Sequence, residues 1–299
     1  TVLRAAPLVD YRRGMAVKRR LLELLARCLP GDSPRHAALR RWAAAHPEAE
    51  DYARCRAAVE RRRAPWPAWP ARMRDGVYVR YRADEFYAIL TLESHRHRTL
   101  LVGEDLGTVP DAMRQAMREK GILAYRLFYF EKHWQGDHSF KSPCEIDRDA
   151  LVAATTHDLP TLAGFWRGSD ISLRSELGLF PSEGMREAQI VGRAEDRARL
   201  LLALEREGLL PAGMTADPAG VPEMTPALAL AIQRYLARSP ARVLLVQAED
   251  MLGETEQANL PGTVSGHPNW QRKLSLNLEA WTTDVRITET ARVLSAERG

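Results

Sequence analysis

A chain of 299 residues, 45% apolar and 27% charged, has the composition of a water-soluble globular protein with room for one large domain or two smaller ones. The longest apolar runs fall far short of the roughly 20 residues that span a bilayer. Three scattered cysteines, Cys28, Cys55 and Cys144, argue against a disulfide framework or a zinc knuckle and fit a reducing compartment. Thr1 to Arg13 lacks the apolar core of a signal peptide, so a cytoplasmic location is expected.

Residues 1 to about 63 are expected to be helical. Val17, Leu21, Leu24, Leu25 and Leu29 recur at helical spacing until Pro30-Gly31-Asp32 stops the run. A second helix is expected from His36 to Ala45 and a third from about Glu48 to Arg63. The net charge of +4 is concentrated here, in Lys18-Arg19-Arg20, Arg40-Arg41 and Arg61-Arg62-Arg63. Such a face could hold phosphates, but it lacks aromatic interleaving and any helix-turn-helix or zinc-finger signature. A solvated surface is the plainer reading, and no nucleic-acid partner is expected. Pro65-Trp66-Pro67-Ala68-Trp69-Pro70 forbids regular helix, because proline fixes φ and lacks an N–H. A boundary near Trp66–Gly76 therefore separates an Arg-rich region, residues 1–75, from the remainder, residues 76–299. Trp66 and Trp69 are read as packing residues rather than sugar-stacking platforms.

Beyond Gly76 four short apolar runs appear: Thr99–Gly103, Leu123–Phe130, Leu151–Thr155 and Val243–Val246. They have the β-branched and aromatic character of buried parallel strands. Helices are expected between them at Asp111–Lys120, Met185–Glu207 and Ala227–Arg238, the last opened by Thr225-Pro226 and closed by Ser239-Pro240. Alternation of this kind implies βα units and a parallel sheet. Each strand is followed by acids: Glu104-Asp105, Glu131, His157-Asp158 and Glu249-Asp250. Parallel strands would converge those acids on one rim, where a (β/α)₈ barrel builds its active site.

Two chemistries use such a rim. Acids plus histidines could bind a divalent metal, and the suggestive pairs are His95-x-His97 and His157-Asp158. But His95 and His97 fall at the end of a helical segment, where positions two apart point away from each other, and arginines flank them. Retaining glycosyl transfer instead needs one protonated carboxyl for the leaving oxygen and one carboxylate as nucleophile, roughly 5 Å apart. A further ionised Asp can stabilise charge developing on the sugar ring.

Longer motifs carry a family resemblance. Val102-Gly103-Glu104-Asp105-Leu106-Gly107-Thr108-Val109-Pro110 resembles the acid/base motif of the 4-α-glucanotransferases (amylomaltases, glycoside hydrolase family 77). The segment Thr155-Thr156-His157-Asp158-Leu159-Pro160-Thr161, continuing to Trp166, is similar to the family motif that holds the transition-state-stabilising Asp. Glu249–Gly253, Gln257–Thr263 and His267–Trp270 resemble its C-terminal substrate-binding loop. Leu92–Arg96 and Pro7–Tyr11 fit as well, so the matches span nearly the whole chain in family order.

The resemblance implies Glu104 as general acid/base and Asp158 as stabiliser. It further implies that His157, Asp105, Asn259, Pro261 and Gly262 contact α-1,4-glucans or malto-oligosaccharides, with no metal or organic cofactor. The implied fold is α/β: an incomplete (β/α)₈ TIM-type barrel, strands five to eight, preceded by a mainly helical N-terminal region. The family's nucleophilic Asp, in an Arg-Ile-Asp-His motif ending the fourth strand, has no counterpart. The regions around Trp66–Gly76 and Val77–Val79, which a long stretch separates in the family, abut here. Little or no transferase turnover is therefore expected of this chain. A non-catalytic glucan-binding protein is the alternative, and the sequence is silent on oligomeric state.

Overall fold

The computed structural model describes residues 8, 10–27, 33–46, 53, 82–107, 109–264 and 266–299. The expected third helix, the boundary at Trp66–Gly76, and both Trp66 and Trp69 lie outside these residues. The chain forms two compact units, one of Thr1–Ala6 with Asp10–Phe86 and the other of Pro7–Val9 with Tyr87–Gly299.

In the first unit, α1 (Tyr11–Arg27) and α2 (Pro34–Ala45) fall where the periodicity places them. Ser33 caps α2 by accepting a hydrogen bond from the His36 amide, and Pro34 sits in the first turn, where no amide donor is needed. The apolar positions of α1, among them Val17, Leu21, Leu24 and Leu25, are exposed.

The second unit is built on a parallel sheet in the order β1 (Ala124–Leu127), β2 (Ala150–Ala153), β3 (Val243–Leu245). Helix α3 (Ala83–His97) leads into it. The run at 99–103 joins the edge of β1 as a single parallel bridge, Val102 to Leu123. Leu123 N–H donates to Leu101 and Gly103 N–H donates to Leu123. The next rung of a parallel ladder would take the Tyr125 amide to Gly103. Instead that amide donates to the Asp105 carboxylate at 3.0 Å, so a side chain completes the ladder where the backbone turns away.

Helices α4 (Asp111–Glu119), α7 (Glu183–Arg206) and α8 (Pro226–Ala237) match the expected segments to within about two residues. Thr225 caps α8 through the Leu228 amide. Four helices go beyond the expected segments, three of them short: α5 (Leu162–Arg167), α6 (Ser169–Glu176) and α9 (Ala248–Leu252), with the 14-residue α10 (Val285–Arg298) as the fourth. The second apolar run is also shorter as a strand than its composition suggests. It leaves the sheet after Leu127 as a 3₁₀ turn, Phe128–Phe130, that buries Phe128 and Tyr129.

Those aromatics explain the turn. Phe128 stacks on Phe140 at 4.6 Å between centroids and Tyr129 stacks on Phe165 at 4.3 Å, both on the helix-covered side. That side is the core, where Ala124, Ala150 and Val152 of the sheet pack against Leu200, Leu201 and Leu204 of α7 and Leu228, Ile232 and Leu236 of α8. Trp166 of α5, 1% exposed, donates its indole N–H to Val221 O at 2.8 Å. On the opposite face Tyr125, Leu151 and Val243 are half-buried and Leu245 is exposed.

Candidate active site at the C-terminal edge of the sheet

Strand β2 runs out through buried Ala154 and Thr155 into the turn Thr156-His157-Asp158. Asp158 N–H donates to Thr156 Oγ1 at 3.2 Å and Leu159 N–H to Thr156 O at 3.2 Å, while Thr155 Oγ1 donates to Pro160 O at 2.8 Å. This is the local chemistry of a Thr-rich turn. The segment is held from the other side by residues far along the chain. Gln247 Nε2 donates to Thr155 O at 2.5 Å, Thr161 Oγ1 donates to Glu254 O at 2.6 Å, and Leu162 N–H donates to Asp250 Oδ1 at 2.7 Å. Gly164 is required for the same fit, since a Cβ there would lie 2.5 Å from Thr255 O.

The loop after α9 then closes on the turn. Asn259 N–H donates to His157 O at 3.0 Å, and Asn259 Nδ2 donates to Asp158 Oδ1 at 2.6 Å. His157 Nε2 lies 3.5 Å from the same carboxylate oxygen. The Trp270 ring sits 4.7 Å from the His157 ring, and its amide donates to Ala258 O. Asn259 is fixed in turn by Gln257, whose Nε2 donates to Asn259 O at 2.6 Å. Beside these groups opens a cleft of about 400 Å³, lined by Asp158, Pro160, Asp170, Arg174, Gln257, Leu260, Pro261 and Gly262. Its charged and amide groups beside proline and leucine surface suit a polyhydroxylated ligand, which offers hydroxyls and an apolar C–H face to the same wall.

Glu104 is exposed and follows the bridge strand directly. Burial, and to a lesser degree the negative charge of Glu104, push the Tyr125 phenol above its ordinary value. Glu104 follows the bridge strand and Asp158 follows β2, with β1 lying between those two strands in the sheet.

The expected convergence of all four acid groups on that rim needs correction. The Asp105 side chain, 1% exposed, lies 2.9 Å from Arg126 Nη1 and 3.5 Å from Arg114 Nε. Burial pushes its carboxyl up, but hydrogen bonds from Arg126 and the Tyr125 amide outweigh this and hold it below the ordinary range. Asp105 is a scaffold residue, with its oxygens turned to the sheet rather than to a glucan. Glu131 is buried against Lys141 Nζ at 2.8 Å. Asp250, 4% exposed, caps α5 from below. In place of these, Gln257 and Trp270 join the site. Both sat within the quoted motifs, but nothing in their spacing distinguished them.

His95 and His97 end α3, and His97 lies 3.2 Å from Glu93. Among the described residues no group of three or more His, Cys, Asp or Glu is placed to hold a metal ion. No described helix is long and apolar enough to cross a membrane.

A parallel sheet covered by helices, with a carboxylate, an imidazole and an amide locked together at its C-terminal edge, defines an α/β protein with a polar ligand cleft at its strand ends. Residues 71–278 match the family model described as 4-alpha-glucanotransferase, and the chain belongs to that family. It is 37% identical over 201 residues to a 4-alpha-glucanotransferase of Haemophilus influenzae, covering 67% of this chain and 28% of that protein. To one of Mycobacterium tuberculosis it is 36% identical over 229 residues, covering 74% and 30%. Among solved structures it resembles the amylomaltase from Corynebacterium glutamicum, with a TM-score of 0.65 and 26% identity over 76% of this chain and 33% of that one. The chain thus spans less than a third of the length of these curated relatives.

Proposed function

We propose that this chain provides the acid/base and stabilising half of a 4-α-glucanotransferase site, built on strands five to eight of a (β/α)₈ barrel in residues 76–299. The reaction of the complete site is retaining transfer of an α-1,4-glucan segment to the 4-hydroxyl of glucose or another glucan. Glu104 protonates the glycosidic oxygen and later removes the proton of the incoming hydroxyl. Asp158 stabilises the oxocarbenium-like ring, with His157 and Asn259 gripping sugar hydroxyls and Pro261-Gly262 forming the cleft wall. The observation that carries this reading is the Asn259–Asp158–His157 cluster at 2.6 and 3.5 Å beside an open cleft. An amide that donates to one carboxylate oxygen fixes the aim of the other.

No residue of the chain matches the family's nucleophile motif. The 299 residues alone therefore bind malto-oligosaccharides and turn them over slowly or not at all, since losing such a group costs several powers of ten in rate. Two measurements test this together. Calorimetry with maltoheptaose should show binding that Asp158→Asn and Asn259→Ala each weaken about tenfold. Maltotriose incubation should yield little glucose and little maltotetraose. Binding untouched by both substitutions would refute the assigned site, and rapid disproportionation that Glu104→Gln leaves intact would refute the role of Glu104.

A further inference from the structure

Away from that cleft, helices α8, α9 and α10 enclose a second cavity of about 280 Å³. Its wall is mostly aliphatic, with Leu230, Leu252 and Val285 prominent. Two polar side chains line it from below, Gln233 of α8 and Asp250 of α9, 3% and 4% exposed. Gln233 Oε1, Gln233 Nε2 and Asp250 Oδ2 are all buried without a partner among the described residues. The other Asp250 oxygen is committed to the Leu162 amide. Such groups are costly in a protein interior, each at about 1–3 kcal/mol if nothing meets it. Gln233 and Asp250 both line the cavity, so these three unmet polar atoms belong to its wall, an arrangement that a ligand would complete.

The charged residues of the wall are already engaged. Arg286 is paired with Asp284 and also donates to Leu252 O, and Glu289 is paired with Arg292. What remains to be met is one carboxamide edge and one carboxyl oxygen, with aliphatic surface above them. Burial holds the Asp250 carboxyl up at about 7, so below neutrality its free oxygen also offers an O–H donor. An anion does not suit a floor that carries a buried carboxyl. The α10 rim, where Val285 is exposed, leaves a way in from solvent.

We infer that the α8–α9–α10 cavity is a second ligand site, taking a small uncharged molecule with a primary carboxamide or similar donor–acceptor head on an apolar body. The head pairs with the Gln233 amide and Asp250 Oδ2, and the body lies against Leu230, Leu252 and Val285. Because Asp250 also holds the first turn of α5, a bound molecule sits one side chain away from the segment that carries Asp158.

A shape-matched series tests this: benzamide, benzoate and toluene, each titrated into the ¹⁵N-labelled full chain. Benzamide should shift the Gln233 side-chain amide and the Leu162 backbone amide with a Kd at least tenfold below that of toluene, and benzoate should not bind. Gln233→Leu and Ala229→Leu, the second of which fills the cavity without touching the polar floor, should each abolish the shifts while unfolding stays cooperative. Should Gln233→Leu fail to fold, Ala229→Leu decides alone. Toluene binding as well as benzamide, shifts that survive Ala229→Leu, or a Gln233 amide that contacts only long-lived water and ignores every probe would each overturn the site.

Discussion

Replacing Asp250 by Asn removes a titrating proton while preserving the shape of the side chain and its hydrogen bond from the Leu162 amide. Burial raises the Asp250 carboxyl from 3.8 to about 7; the Leu162 hydrogen bond opposes that rise and the charge of Glu249 adds to it. The folded state therefore keeps a proton that the unfolded chain releases near pH 4. Between pH 4 and 7 the folded state binds more protons than the unfolded one, so this group lowers stability as pH rises, and the loss is complete above the folded value. At 1.36 kcal/mol for each pH unit across that interval the loss is roughly 4 kcal/mol. Asn has nothing to release. The variant should match the parent at pH 4 and exceed it by up to about 4 kcal/mol at pH 8, on the order of 10 °C in Tm for a unit of this size. Urea denaturation of both proteins from pH 4 to 8 measures the difference and cancels the other titrating groups. A difference that stays flat across the range, or one that favours the parent at pH 8, would refute the argument.

Arg126→Ala leaves the Asp105 carboxylate buried with Arg114 as its remaining cation, and should cost about 3–5 kcal/mol at pH 7. Asp105 is held below its ordinary range, so its contribution is present above about pH 4 and is lost as pH falls through the folded value. The penalty should shrink in denaturation curves taken near pH 3. Gly164→Ala drives a Cβ to 2.5 Å from Thr255 O, a backbone atom that cannot swing aside. A loss of about 1–3 kcal/mol is expected in thermal melts, with weaker maltoheptaose binding because the displaced loop carries Asn259. Trp166→Ala removes the largest fully buried side chain among the described residues and should cost about 3–5 kcal/mol by chemical denaturation.

Helix positions were largely legible because their signals are local. Thr225-Pro226 caps α8, and Gly208 follows the end of α7, just as their residue types demand. The four strand segments were legible too, although the first contributes only a bridge. Composition could not reveal that the second run bends at Phe128, since the aromatics that favour a strand are here drawn onto Phe140 and Phe165. Acid placement was the least legible feature. An acid after a strand reads the same whether it faces a cleft, as Asp158 does, or replaces a backbone rung, as Asp105 does. The difference lies with partners such as Arg126, 21 residues away, and Leu162, 88 residues from Asp250. Short helices α5 and α9 escaped because at six and five residues they are set by caps and packing rather than by periodicity.

The polar tethers that position Asp158 share one property. Asp250 to Leu162, Gln247 to Thr155, Glu254 to Thr161 and Asn259 to Asp158 span 88, 92, 93 and 101 residues. The turn itself supplies only the Thr156 contacts and the Thr155–Pro160 hydrogen bond, which would hold many conformations of His157 and Asp158. Closing a loop of that length costs chain entropy that no single hydrogen bond of about 1 kcal/mol repays. The four can therefore form only together, once α9 and β3 have docked on the core. It follows that the Asp158 site is a late, cooperative product of the fold rather than a property of its motif. Any change that loosens the 247–270 segment dissolves the site while β1, β2, α7 and α8 keep their core. The local motif specifies which groups are available, and the return of the chain through residues 247–259 specifies where they point.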